Sequence, residues 1–97
     1  MAQATDTSDN RTPEQRLKEL GIALPPAPGV AGDYLPWVVT GNLLMTSGQL
    51  PWINGVLQFK GKIGAELDLE QGYQAFRLSG LNAIAQLRAA LGTLDRV

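Results

Sequence analysis

Beyond residue 34 the chain runs through short apolar stretches separated by two-residue turn signals, then settles into one long stretch of helical spacing. Residues 35–40 and 43–47 are rich in large apolar and β-branched side chains, and Gly41-Asn42 lies between them. This predicts a two-residue hairpin, because glycine takes the positive φ that a type II′ turn needs. Pairing Thr40 with Leu43 sets Trp37 opposite Thr46 and Tyr34 opposite Gln49. One face then carries Tyr34, Pro36, Val38, Leu43, Met45, Ser47 and Gln49, and the other Leu35, Trp37, Val39, Leu44, Thr46 and Gly48. Both are apolar in the middle, whereas a half-solvated sheet would alternate apolar and polar residues. The hairpin is therefore expected to be covered on both sides. Asn54-Gly55 is a second turn signal and predicts a strand over 56–59, followed by a flexible basic loop over 60–64.

Asp68, with Gln71 three residues later, predicts the capped start of a long helix ending at Gly92. Its apolar stripe is Leu69, Tyr73, Phe76, Gly80, Ala83, Ile84, Leu87 and Leu91, and this is the face expected against the sheet. Gly72 and Gly80 each cost about 1 kcal/mol relative to alanine. Close approach of helix to sheet, at least at Gly80, is the expected compensation. Upstream, Thr12-Pro13-Glu14-Gln15 reads as a capped helix start with proline at the first position, and Gly21-Ile22 as a Schellman stop. With only Leu17 and Leu20 apolar, that helix is a small appendage. It leads into a stiff extended connector, Leu24-Pro25-Pro26-Ala27-Pro28-Gly29. The chain thus divides into a tail over 1–11 expected to be disordered, a helix and connector over 12–29, and a domain over 30–97. Three strands and one long helix cover only one sheet face, so the other calls for a partner subunit or more chain.

Composition narrows the chemistry. The 97 residues contain no cysteine and no histidine. This excludes disulfides, thiolate catalysis, serine–histidine hydrolysis and most zinc sites. A net charge of −1 without clustered lysine or arginine argues against a nucleic-acid binder. No stretch reaches the roughly 20 apolar residues of a membrane span, and the polar, acidic N-terminus is no signal peptide. A cytoplasmic location is expected.

The segment Gly32-Asp33-Tyr34, the Gly41-Asn42 turn and the strand ending Ser47-Gly48-Gln49-Leu50-Pro51 resemble the RidA family, also called YjgF or L-PSP endoribonuclease-like. The helix closing on Leu91-Gly92, with Leu94-Asp95-Arg96-Val97 after it, is similar to the family's approach to its next strand. The resemblance implies an α/β (α+β), chorismate-mutase-like fold, with an antiparallel-mixed sheet and a long helix on one face. It also implies a homotrimer with ligand clefts between subunits and no metal or organic cofactor. Many members hydrolyse enamines and imines to 2-oxo acids and ammonia. In those deaminases an arginine holds the substrate carboxylate and a glutamate positions water, both from the second half of the fold. Arg96 does not match that arginine, and the chain reads as a truncated N-terminal part, inactive by itself, the other reading being a degenerate half-domain. Catalytic residues are therefore unassigned.

The candidate ligand-binding residues are Tyr34, Ser47, Gly48 and Gln49, for a small carboxylate-bearing ligand. Each has a plainer reading. Tyr34 is otherwise an interface aromatic, Ser47 and Gly48 a strand terminus, and Gln49 a backbone-bonding amide. Ser47 has no base to make it a nucleophile. Lys60 and Lys62 read as solvated, Asp68 as a cap, Asn82 as a hydrogen bond to a nearby loop, and Trp37 and Trp52 as core or interface. The leading expectation is an enamine/imine deaminase; the alternative is a non-catalytic trimeric small-molecule-binding or regulatory protein. A ribonuclease is a distant third.

Overall fold

A computed structural model describes residues 10–30 and 32–97; most of the expected disordered tail lies outside them. The elements are α1 (Pro13–Glu19), β1 (Trp37–Thr40), β2 (Leu43–Thr46), β3 (Trp52–Ile53), β4 (Val56–Leu57), α2 (Leu69–Leu91) and a closing 3₁₀ turn at Leu94–Arg96. Local signals set their ends. Thr12 and Gln15 form a capping box at α1, as Asp68 and Gln71 do at α2. Gly21 at φ 70°, with Ile22 N–H donating to the Leu17 carbonyl, completes the Schellman stop.

β1 and β2 pair antiparallel in the expected register, Thr40 with Leu43 and Trp37 with Thr46, around Gly41 at φ 57°. Asn54 and Gly55 both take positive φ, 51° and 78°, the signature of a type I′ turn joining β3 to β4. The expected third strand is shorter than residues 56–59 and pairs with β3, so the strands form two separate two-stranded antiparallel sheets. Pro51, which has no N–H to donate, stands between the two hairpins. The loop beyond is built rather than free. The Glu66 carboxylate accepts from Lys62 N–H at 2.8 Å, and Gly64 N–H donates to the Leu67 carbonyl at 2.7 Å. The backbone N–H of Lys62, and then that of Glu66 itself, hold the Glu66 carboxyl below its ordinary pKa.

α2 contacts both β1 and β2. Along β2, Leu44 and Thr46 are half-buried while Leu43 and Met45 are 63% and 60% exposed. The helix therefore covers the face of Trp37, Leu44 and Thr46. The opposite face, with Val38, is left open.

The helix itself is turned differently from the expectation. Its buried residues are Gly72, Asn82, Ala85 and Gln86, whereas Leu69 and Phe76 of the apolar stripe are 80% and 83% exposed. Small residues let the helix come close. A Cβ on Gly72 would lie 2.4 Å from Ile63 Cδ1, whereas one on Gly80 would meet nothing within 4 Å. Close approach therefore belongs to Gly72, and Gly80 retains its propensity cost without compensation. Gly80→Ala is expected to stabilise the fold by about 1 kcal/mol, raising Tm by roughly 4–8 °C. A thermal melt showing no rise would contradict this placement.

α1 buries no residue, yet it is anchored. Glu14 accepts from Arg88 Nη2 at 2.6 Å, Arg88 Nε at 3.1 Å and Leu94 N–H at 2.9 Å, while its own N–H donates to Asp95 Oδ1. At the other end Arg11 pairs with Glu19. The Arg88 guanidinium, then Leu94 N–H, hold the Glu14 carboxyl below its ordinary 4.5. A carboxylate with a depressed folded-state pKa stabilises above the unfolded value, and that contribution is lost as pH falls through the folded value. Hydrogen exchange in residues 12–24 is thus expected to accelerate below about pH 4.5 in the natural chain, after correction for intrinsic rates. In Glu14→Gln it should be fast already at pH 6 and far less pH-dependent. Identical profiles for the two chains would remove Glu14 from this role.

Candidate functional site

The hairpin opens, at the end away from Gly41-Asn42, into a small cavity. Ser47 N–H donates to the Pro36 carbonyl at 3.0 Å, extending the pairing one step past Trp37 and Thr46. Beyond that the strands part, Tyr34 on one side and Gly48 and Gln49 on the other. The connector (Pro28, Gly29, Val30), β3 through Trp52, and α2 through Gln86 close the remaining sides. The space is about 20 Å³, room for one water or a methyl-sized group, and it is partly open to solvent.

Tyr34, Ser47, Gly48 and Gln49, spread over sixteen positions of sequence, all line this cavity. Their environments differ. The Ser47 hydroxyl donates to the Pro36 carbonyl at 3.3 Å, so it fastens the strand end. Gln49 Nε2 donates to the Ser47 carbonyl at 3.0 Å, in keeping with its plainer reading. Gly48 is not among the glycines with positive φ, and a Cβ on it would meet nothing within 4 Å. Neither conformation nor packing demands glycine there, and the missing side chain leaves backbone open at the cavity mouth. Tyr34 is about half exposed, with its ring against Gly32.

Among the described residues, none that lines the cavity carries a charge at neutral pH. Arg88 is engaged by Glu14, Arg96 Nη1 donates to the Leu91 carbonyl, and Lys60 and Lys62 stand on a loop outside the lining. Among the described residues no three acidic side chains group as a metal site would require. The cavity offers amide and carbonyl groups, a phenol and apolar walls, without a general base.

Two helix amides organise the site. Asn82, fully buried, donates through Nδ2 to the carbonyls of Leu50 (2.8 Å) and Trp52 (3.0 Å), the nearby-loop bond expected of it. Gln86 was given no role by the sequence pattern. Nothing local marks it except its position four residues beyond Asn82, off the apolar stripe, where a polar residue ordinarily meets solvent.

Residues 14–97 match the protein family described as "YjgF/chorismate_mutase-like, putative endoribonuclease". The chain belongs to this family. Protein TCP17 of Trypanosoma cruzi is 42% identical over 81 residues, which is 84% of this chain and 51% of TCP17. The crystal structure of a "putative endoribonuclease" from Shewanella oneidensis superposes with a TM-score of 0.81 at 46% identity, over 89% of this chain and 57% of that one. Atu1372 of Agrobacterium tumefaciens, a protein of unknown function, superposes with a TM-score of 0.67 at 38% identity, over 84% and 47%. The YjgF, chorismate-mutase-like fold is thus shared, and the chain spans about half the length of these relatives. Among the described residues no helix is long and apolar enough to cross a membrane.

Proposed function

We propose that this YjgF-family chain supplies one wall of a small-carboxylate cleft in a cytoplasmic, homotrimeric enamine/imine deaminase. The observation that carries the reading is the convergence of Tyr34, Ser47, Gly48 and Gln49 on one neutral cavity at the open end of the hairpin. Hydrolysis of such a substrate adds water across the C=N bond of the imine and then expels ammonia, leaving a 2-oxo acid. It needs a cation for the carboxylate and a group to position the water. The lining residues supply neither, which agrees with the RidA resemblance, where an arginine and a glutamate of the second half of the fold do so. The roles left to this chain are to border the ligand with the Tyr34 phenol, to leave room at Gly48, and to exclude solvent through Trp52 and the connector.

The absence of an acid–base group from the lining also favours a second reading, a trimeric binding protein without catalysis. Endoribonuclease activity, the one named in the family's description, has less support: no basic groove accompanies Trp37 or Trp52, and the chain is slightly acidic.

The 97-residue chain is expected to leave 2-aminoacrylate hydrolysis at the no-protein rate in a coupled assay, while 2-oxobutyrate still shows contact in ligand-observed NMR. Gly48→Ala, which the backbone tolerates, should weaken that contact without lowering Tm. Turnover by the chain alone would overturn the division of labour. Equal 2-oxobutyrate contact in Gly48→Ala would take the ligand away from this cavity. A longer protein carrying the segment with the arginine and glutamate, yet binding without turnover, would favour the second reading.

A further inference from the structure

We propose that Gln86 is a positioning residue of this cavity. By holding the Pro28 carbonyl it fixes the proline-rich connector as the cavity wall, and so limits the ligand group admitted to about methyl size. The inference rests on the ligand-cleft reading above and deepens it by assigning the size limit to one helix side chain.

The connector cannot be knitted into the fold in the usual way. Pro25, Pro26 and Pro28 have no N–H to donate to a strand, and α1 before them buries nothing. Residues 24–27 border an open groove over Ala85, Arg88 and Ala89 rather than a packed core. Polar ties at the two ends do the holding. One is Glu14 on Arg88 and Leu94. The other is Gln86, 3% exposed, whose Nε2 donates to the Pro28 carbonyl at 2.7 Å and lies 3.5 Å from Gln49 Oε1. One buried amide thus joins connector, strand end and helix around the same space. Pro28, Gly29 and Val30 form the wall it holds, and the space behind that wall is about 20 Å³. The polar part of a ligand would lie at the mouth beside Gly48 and Tyr34, and only a small tip would enter.

The test uses the 97-residue chain with Gln86→Ala and Gln86→Glu, read by hydrogen exchange in residues 24–30 and by NMR contact from 2-oxobutyrate and phenylpyruvate. In Gln86→Ala the segment should exchange at least about ten-fold faster, and phenylpyruvate should gain at least about ten-fold on 2-oxobutyrate. Gln86→Glu adds a readout that a merely structural role would not move. At pH 8 its carboxylate repels the Pro28 carbonyl and frees the segment. On acidification the protonated carboxyl donates its O–H to that carbonyl and slows exchange again, at a pH raised by burial. Among the described residues, Tyr34 is the only other titratable side chain in the lining. Unchanged exchange in both variants overturns the proposal, as does faster exchange with an unchanged ligand ratio. If exchange responds as described but neither keto acid contacts the natural chain, the ligand-cleft reading fails and the size limit with it, while the tether stands. Should Gln86→Ala not fold, acid recovery in Gln86→Glu still decides.

Discussion

Asn82→Ala is expected to destabilise the chain by about 1–3 kcal/mol, because the Trp52 carbonyl loses its side-chain donor while the Leu50 carbonyl keeps only the Trp52 N–H. The Asn82 side chain is fully buried, and its Nδ2 is bonded to the Leu50 and Trp52 carbonyls at 2.8 and 3.0 Å. Those carbonyls belong to the link between β2 and β3 and to the first residue of β3, which no ladder hydrogen bond to β1 or β2 secures. Removing the amide leaves the Trp52 carbonyl without this donor and opens a void at a fully buried position between helix and strands. The loss should spread to the cavity, since Leu50 and Trp52 line it. Asn82→Asp should cost at least as much: it replaces the donor by an acceptor facing two carbonyls and buries a charge. Urea melts at fixed protein concentration check both, and a shift worth less than about 0.5 kcal/mol for Asn82→Ala would show that water replaces the amide without loss.

How much of this was legible in the sequence depends on the range of each interaction. Thr12 with Gln15, Asp68 with Gln71, Gly21 before Ile22, Gly41-Asn42 and Asn54-Gly55 act over two to five residues, and all formed as their spacing required. The β1–β2 register followed from the turn; the pairing ends at Pro36 and Ser47, and Tyr34 and Gln49 lie beyond it in the lining of one cavity. The orientation of α2 did not follow. Leu69, Tyr73 and Phe76 are the largest apolar side chains near its start, so hydrophobic periodicity assigns them inward. In the fold, Gly72 packs against Ile63 of the preceding loop, and the amides of Asn82 and Gln86 turn inward to the carbonyls of Leu50, Trp52 and Pro28 instead. Periodicity ranks side chains by transfer from water. It has no weight for a helix that must come close to a backbone and satisfy its carbonyls. The ties Glu14–Arg88, Asn82–Leu50 and Gln86–Pro28 span 74, 32 and 58 residues, far beyond any local pattern.

Sedimentation of the 97-residue chain is expected to show trimers or larger species rather than a sharp monomer boundary. Among the described residues the buried apolar side chains are Ala85 and Leu94 alone, a very small core. Against it stands the open face of the first hairpin, where Val38, Leu43 and Met45 are 50%, 63% and 60% exposed, with Tyr34 beside them. Fully burying side chains of this kind stabilises by roughly 1.5–3 kcal/mol each. Since about half of that surface is still wet, covering the three is worth some 2–5 kcal/mol, a large share of the roughly 5–15 kcal/mol that keeps a domain folded. A second copy is the nearest source of such cover, and Val38, Leu43 and Met45 stand together on one face of the β1–β2 hairpin. Replacing Val38 and Met45 together with lysine should therefore dissociate the assembly, and with it lower the Tm or leave the chain partly unfolded. Leu69→Lys with Phe76→Lys, on the exposed helix stripe, should shift the assembly less if the hairpin face is the contact. A single monomer boundary, with cooperative unfolding of that same sample, would show that the face is stable in water and would undercut a cleft completed by a neighbouring subunit.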